Sequence, residues 1–180
     1  GLLAVANGRL TSEEPAPGRP GRRVVRFADT MPMSTYLVAF VVGPLVATDP
    51  VDVDGVPLRV VHVPGKEHLT GWALGVGAHA LRFFADYFGI PYPADKLDLL
   101  ALPDFAFGAM ENVGAVTFRE TALLVDPATA TRLEHERVAD VVSHEIAHMW
   151  FGDLVTMKWW NGLWLNESFA SFMGTLATAE

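Results

Sequence analysis

The sequence predicts an α+β protein, with strands gathered in its first third and helices carrying much of the remainder. Three observations lead there. Up to about residue 55, short β-rich runs are punctuated by Pro, Gly and Asp. From His68 the apolar period lengthens to that of a helix. A second helical stretch, from about Thr131 to Phe151, carries two histidines four residues apart. With 180 residues, 51% of them hydrophobic, the chain is long and apolar enough to bury a core.

Taken in order, Leu2 to Ala6 is a short apolar strand. Thr11 to Gly21, rich in Pro, Gly and charge, is expected to be a loop or hairpin tip. Arg23 to Phe27 and Thr35 to Val42 read as strands, the latter bounded by Pro32 and Gly43-Pro44. Val51–Val53 and Leu58–Val63 flank Asp54-Gly55, a hairpin signature. Then Trp72, Leu74, Val76, His79, Ala80, Phe83, Phe84, Tyr87 and Phe88 recur at helical spacing. That helix is expected to end before Gly89, because Pro91 and Pro93 bar its continuation. Its aromatics are assigned to the core, and His79 is read as a structural histidine.

Leu97 to Leu102 is a strand, followed by a loop from Pro103 to Asn112 whose Phe105 and Phe107 are expected to pack inward. Ala115–Phe118 and Leu123–Val125 read as two further short strands. Pro127 leads into the histidine helix, Gly152 is its expected stop, and Asn161-Gly162 turns into a last helix. Trp159, Trp160 and Trp164 are expected to wedge those two helices together.

Composition narrows the classes of function. The net charge of −8 and a pI near 5.1 argue against nucleic acid as a partner and offer no basic patch for a membrane. The sequence contains no cysteine, which excludes disulfides and thiolate metal sites and is in keeping with a reducing, cytoplasmic setting. No apolar run is long enough for a membrane helix. The first residues lack the basic flank of a signal peptide and an initiator Met, so the chain is expected to be a fragment of something longer.

The chemistry concentrates in His144-Glu145-Ile146-Ala147-His148. Histidines four apart lie on one side of a helix, one turn apart, so both imidazoles reach a single metal ion. Nitrogen ligands of this softness suit zinc, which makes a bound water acidic enough for a carboxylate to deprotonate. Glu145 is rotated about 100° from His144, within reach of such a water. Val138, Val141, Val142, Ile146 and Met149 form an apolar stripe, and Glu145 falls inside it. A carboxylate there is costly unless it is paired or functional. One helix face supplies only two ligands, so the third must come from another element. Glu167, after a gap of eighteen residues from His148, is so placed.

His-Glu-x-x-His, eighteen residues and then Asn166-Glu167 resembles the zinc site of the gluzincin aminopeptidases, the aminopeptidase N (alanyl aminopeptidase) family. Gly108-Ala109-Met110-Glu111-Asn112 resembles that family's exopeptidase signature, with Glu111 lying 33 residues before His144 as the family has it. Pro32–Leu37, Phe88–Pro93 and Trp150–Thr156 are similar to further family runs, so the likeness extends from about Val24 onward.

The resemblance implies the end of an amino-terminal β-sandwich or saddle domain over residues 1–54, then the first part of a thermolysin-like catalytic domain over 55–180. It implies one Zn²⁺ per chain on His144, His148 and Glu167, with Glu145 as general base and proton shuttle. The substrate implied is a peptide with a free amino terminus, cleaved at its first bond. Among the substrate-binding residues Gly108 to Asn112, Glu111 would bind the α-ammonium, which only a terminal residue has, Gly108 would let backbone approach closely, and the main chain around Ala109 and Met110 would pair with the substrate as an added strand. Nucleic acid and membrane partners are not expected, and oligomeric state is left open.

Two departures stand out. Val113 occupies a position where the family usually has an aromatic residue. The family's oxyanion-stabilising tyrosine lies downstream of the third ligand, whereas Tyr36, Tyr87 and Tyr92 are all upstream; a second amine-binding residue lies before this sequence starts. The 180-residue piece alone is therefore expected to have little or no activity. Two alternatives are kept: an epoxide hydrolase activity on the same site, like that of the relative leukotriene A4 hydrolase, and a catalytically dead peptide-binding homologue.

Overall fold

A computed structural model describes all residues, Gly1–Glu180, and shows a mixed sheet with three helices. The amino-terminal part holds β1 (Leu3–Ala6), β2 (Leu10–Pro15), β3 (Arg23–Phe27) and β4 (Phe40–Gly43). Of these, β1 pairs antiparallel with β4, and β2 with β3. Next come β5 (Val46–Ala47), β6 (Val51–Val53) and β7 (Val56–His62), with both short strands antiparallel to β7. The β6–β7 turn is Asp54-Gly55, each at positive φ, as the two-residue hairpin requires.

Helix α1 (Gly71–Phe88) then crosses to β8 (Leu97–Leu102), which lies parallel to β7. After β8 the chain makes the two-residue strand β9 (Ala109–Met110) and β10 (Ala115–Arg119). The central sheet runs β5-β7-β8-β10-β9, with β10 parallel to β8 and β9 antiparallel at the edge. Helices α2 (Arg132–Ala147) and α3 (Trp164–Ala179) complete the chain. No helix is long and apolar enough to cross a membrane.

Period-two alternation explains how the sheet is covered. Leu58 and Val60, Leu97 and Leu99, and Val116 and Phe118 point to the helices, meeting Phe84 of α1 and Val142 and Ile146 of α2 in the main core. Val61, Leu100 and Ala115 point the other way and meet Val5 and Leu45 in a smaller cluster. Arg59 and Asp98 share that second face, as a bidentate pair at 2.8 and 2.9 Å. Helix α2 starts at a capping box: Thr131 accepts from the Glu134 N–H, and the Glu134 carboxylate accepts from the Thr131 N–H at 2.7 Å.

Several expectations are corrected. Residues 11–15 are not loop but most of β2, a solvated ribbon that needs no apolar face. Only Phe40–Gly43 of the run from Thr35 is strand, and Thr35–Leu37 forms a 3₁₀ turn. There the side chain of Asn7 takes the Leu37 carbonyl and the Ala39 N–H that a ladder would use. Leu123–Val125 is no strand: a 3₁₀ turn at Glu120–Ala122 captures the Leu123 and Leu124 N–H groups, and a short apolar run does not distinguish the two. The loop from Pro103 contains β9, and Phe107 is exposed. Helix α2 ends at Ala147 rather than Phe151, and a compact series of turns follows.

The three tryptophans do not wedge α2 and α3; all are exposed, with Trp164 stacked on Phe169 and Trp160 beside Tyr36. The helices meet instead through Gly174, where a Cβ would stand 3.0 Å from the His144 nitrogen and 3.1 Å from its Cα. A missing side chain thus lets the two backbones approach. Gly174→Val is expected to destabilise the protein by about 1–3 kcal/mol through this overlap. A denaturant midpoint equal to that of the unaltered protein would show that the helices do not rely on the close approach.

Candidate active site

Three side chains converge where α2 and α3 meet. His144 Nε2 and His148 Nε2 are 3.0 Å apart, and Glu167 Oε2 lies 3.6 Å from the first and 3.7 Å from the second. Ligands about 2.0–2.1 Å from a tetrahedral zinc stand roughly 3.3 Å from one another, so the spacing of these three atoms is near that of one triangular face of such a site. The donor set, two imidazole nitrogens and a carboxylate oxygen, suits a borderline metal. His148 is the C-cap of α2 but keeps helical φ and ψ, so its ring still follows His144 one turn on. Its Nδ1–H donates to the Phe151 carbonyl at 2.9 Å, which leaves Nε2 as the inward-facing nitrogen. On His144, Nδ1 faces the Ser171 hydroxyl of α3 at 3.5 Å.

A second grouping shares His148. The ligand atoms of Glu111, Glu145 and His148 all lie within 4.8 Å of one another. Glu145 is 6% exposed, and its Oε2 has no hydrogen-bond partner. Glu111 follows the edge strand β9 and is also buried. The two groupings thus bring together His144, Glu145, His148, Glu167 and Glu111 of the residues singled out in the sequence. The others flank Glu111 along the chain. Ala109 and Met110 form β9, and Asn112 is held by the Thr117 hydroxyl at 2.9 Å. Gly108 lies at the exposed start of the same strand, its carbonyl accepting from the Arg119 N–H.

The electrostatics follow from burying carboxyl groups together. Burial pushes Glu145 up to about 8, against the opposing pull of His148 and with help from Glu111 and Glu167. Burial also pushes His144 down to about 4, aided by the charge of His148. His148 resists its own burial: the Glu167 carboxylate 3.7 Å away and the Glu111 and Glu145 charges lift it to about 9. The two ring nitrogens stand 3.0 Å apart, so their opposite shifts are coupled. The nearness of His148 in turn lowers Glu167.

Two residues beside the site had no role assigned from sequence. Asp153 is 2% exposed, and neither of its oxygens has a hydrogen-bond partner; burial first and Glu111 second push it up to about 8. Tyr36 accepts from the Asn166 amide at 3.3 Å. Burial and the charges of Glu111 and Asp153 raise its phenol to about 12. With Trp160 and Asn166 it lines a cavity of about 240 Å³. Both residues stand in runs whose likeness to the aminopeptidase family was legible, but single residues of those runs carry no spacing rule that points to a site.

Comparison with known proteins gives the family of the chain. Residues 72–180 match the peptidase family M1 domain. The chain is 50% identical over 173 residues to the puromycin-sensitive aminopeptidase of Caenorhabditis elegans, covering 96% of this chain and 18% of that one. It is 51% identical over 177 residues to aminopeptidase M1 of Arabidopsis thaliana, covering 98% and 20%. It is 50% identical over 159 residues to the probable aminopeptidase 2 of Sulfurisphaera tokodaii, covering 88% and 20%. The chain thus spans about a fifth of the length of these relatives. With a domain match over more than half of its residues, the chain belongs to peptidase family M1.

Proposed function

We propose that the protein carrying this chain is a zinc-dependent aminopeptidase that hydrolyses the first bond of peptides with a free amino terminus. The reading rests above all on the triangle of His144 Nε2, His148 Nε2 and Glu167 Oε2, whose edges of 3.0 to 3.7 Å are those of a tetrahedral metal site. These three residues would hold one Zn²⁺ per chain. The metal, when bound, supplies Lewis acidity to the scissile carbonyl and to an attacking water.

The remaining work falls to protein groups. Glu145 has a buried carboxyl with a free oxygen beside the histidines, the disposition of a general base that takes a proton and later returns it to the leaving amine. Burial alone favours its neutral form; a cation on the neighbouring ligands favours the carboxylate. Glu111 binds the α-ammonium of the substrate by a charge-assisted contact. Its carboxylate lies within 4.8 Å of ligand atoms of Glu145 and His148, so an amine held there would stand close to the cleaved bond. Because β9 is the sheet edge, the main chain around Ala109 and Met110 has a side free of any strand partner, along which an extended substrate can hydrogen-bond.

In this reading residues 1–54 close an amino-terminal β-domain, and 55–180 begin a thermolysin-like catalytic domain. The relatives' names support aminopeptidase activity over an epoxide hydrolase activity.

Assays of the full-length protein decide the matter. Turnover of an aminoacyl anilide is expected, with none for the same anilide acetylated on its amine; equal turnover of both would end the exopeptidase reading. Glu145→Gln should lower kcat by about 10²- to 10⁴-fold while the protein keeps its bound zinc, and a loss below tenfold would remove Glu145 from the role of base. Glu111→Gln should raise KM for the unblocked substrate far more than it lowers kcat, because the ammonium contact is made equally before and during reaction. Chelation should abolish turnover and lower the melting temperature, with both restored by about one equivalent of Zn²⁺. A chelated protein of undiminished activity would exclude the metal site.

A further inference from the structure

Asn7 is buried, lies far from the histidine helix in sequence and has every polar side-chain atom engaged. Its Nδ2 donates to the Leu37 carbonyl and to the Val113 carbonyl, both at 2.9 Å. Its Oδ1 accepts from the Ala39 N–H at 2.8 Å. Two carbonyls on one side and one N–H on the other fix which end of the amide faces which partner. Val113 follows Glu111 by two residues. Asn7 therefore ties the chain just beyond Glu111 to the amino-terminal segment.

Neighbouring contacts close the same seam. The Asn112 amide donates to the Leu37 carbonyl at 3.3 Å. Lys96 Nζ donates to the Ala6 carbonyl at 2.7 Å and to the Gly114 carbonyl at 2.6 Å. Gly114 has φ of +71°, and a Cβ there would stand 2.4 Å from the Asn7 carbonyl oxygen, so the two backbones are pressed together. On its other side Glu111 is preceded only by β9, two residues paired to β10 at the sheet edge. An edge strand that short fixes little by itself.

We infer that Asn7 is a positioning residue for Glu111, setting the depth at which the carboxylate meets a peptide's terminal amine. This rests on the reading of Glu111 as the ammonium anchor. The residue type is well matched to that role, since only an amide offers two donors to one side and an acceptor to the other. Without it, Glu111 keeps its charge but loses its fixed distance from the His144, His148 and Glu167 cluster. The result is weaker holding of the amine, with the groups that break the bond unchanged.

The test uses Asn7→Ala and Asn7→Ser in the full-length protein, with thermal melting and zinc content measured beside kinetics. Expected are full zinc occupancy, a KM for an unblocked aminoacyl anilide raised about tenfold, and a kcat within about threefold. In a Glu111→Gln background, Asn7→Ala is expected to change KM no further, because the pair acts as one unit. Unchanged KM in folded variants, or an equal rise with and without Glu111, overturns the inference. If Asn7→Ala does not fold, Asn7→Ser is put through the same cycle, and the same two results support or overturn the inference. A wild-type protein without aminopeptidase turnover sinks the functional reading and this inference together; an active wild type with indifferent Asn7 variants sinks the inference alone.

Discussion

Three carboxyl groups are buried around one histidine, and no buried lysine or arginine answers them there. Glu111 is 7% exposed, Glu145 6% and Asp153 2%, while His148 is the nearest basic group within the cluster. Burying a charge without a partner is expensive, so such a group either takes up a proton or finds a cation. The raised pKa values of Glu145 and Asp153 express the first outcome. The triangle of His144, His148 and Glu167 invites the second. Under the proposed function, a divalent ion there and an ammonium against Glu111 would be the two positive charges that answer them. The excess of negative charge makes the site receptive to both and ties the binding of one to the field of the other.

The constraint reaches back into the packing. The two histidines share one helix, but Glu167 comes from another, so the site exists only if α2 and α3 hold their distance. Their contact at Gly174 meets His144 itself, at its backbone, rather than some remote turn. Beyond Ala147 the chain does not wander: Asp153 and Val155 return their N–H groups to His148 and Trp150, and Trp150 enters the aromatic core with Phe84 and Phe88. The histidine at the frayed end of α2 is thus anchored from its carboxy-terminal side.

Much of this was legible in the residues because motif spacing and helical period are local. His144, Glu145 and His148 needed only the geometry of one helix, and the Asp54-Gly55 turn only its dihedral preference. Glu167 follows from the need for a third ligand on another element, whereas Glu111 depends on family resemblance, since nothing in the spacing alone says that a loop glutamate will come to rest beside a helix some thirty residues on. The misreadings have a common cause. Strand β2 is polar and exposed, so it lacks the alternation that marks a half-buried strand. The run from Thr35 has strand composition, but Asn7, about thirty residues away, claims its backbone groups. The tryptophans are expected from their place between the two helices to wedge them together, whereas a backbone contact at Gly174 does the joining. Long-range hydrogen bonds and an absent side chain leave no periodic trace.

A division of labour follows from where the parts are mounted. The proposed metal ligands belong to the helix pair, while Glu111 belongs to the edge of the sheet, and the two bodies are joined through the core under β10 and α2. Exopeptidase specificity is a length: the reach from an ammonium anchor to a polarised carbonyl. A length measured between a sheet edge and a helix is only as fixed as the packing between them. Phe118, Val142 and Ile146 supply that packing from below, in a core with no room to slide. The seam through Asn7, Lys96 and Gly114 supplies it from the side. The amino-terminal strands, which touch none of the metal-site residues by hydrogen bond, are in this light part of the ruler.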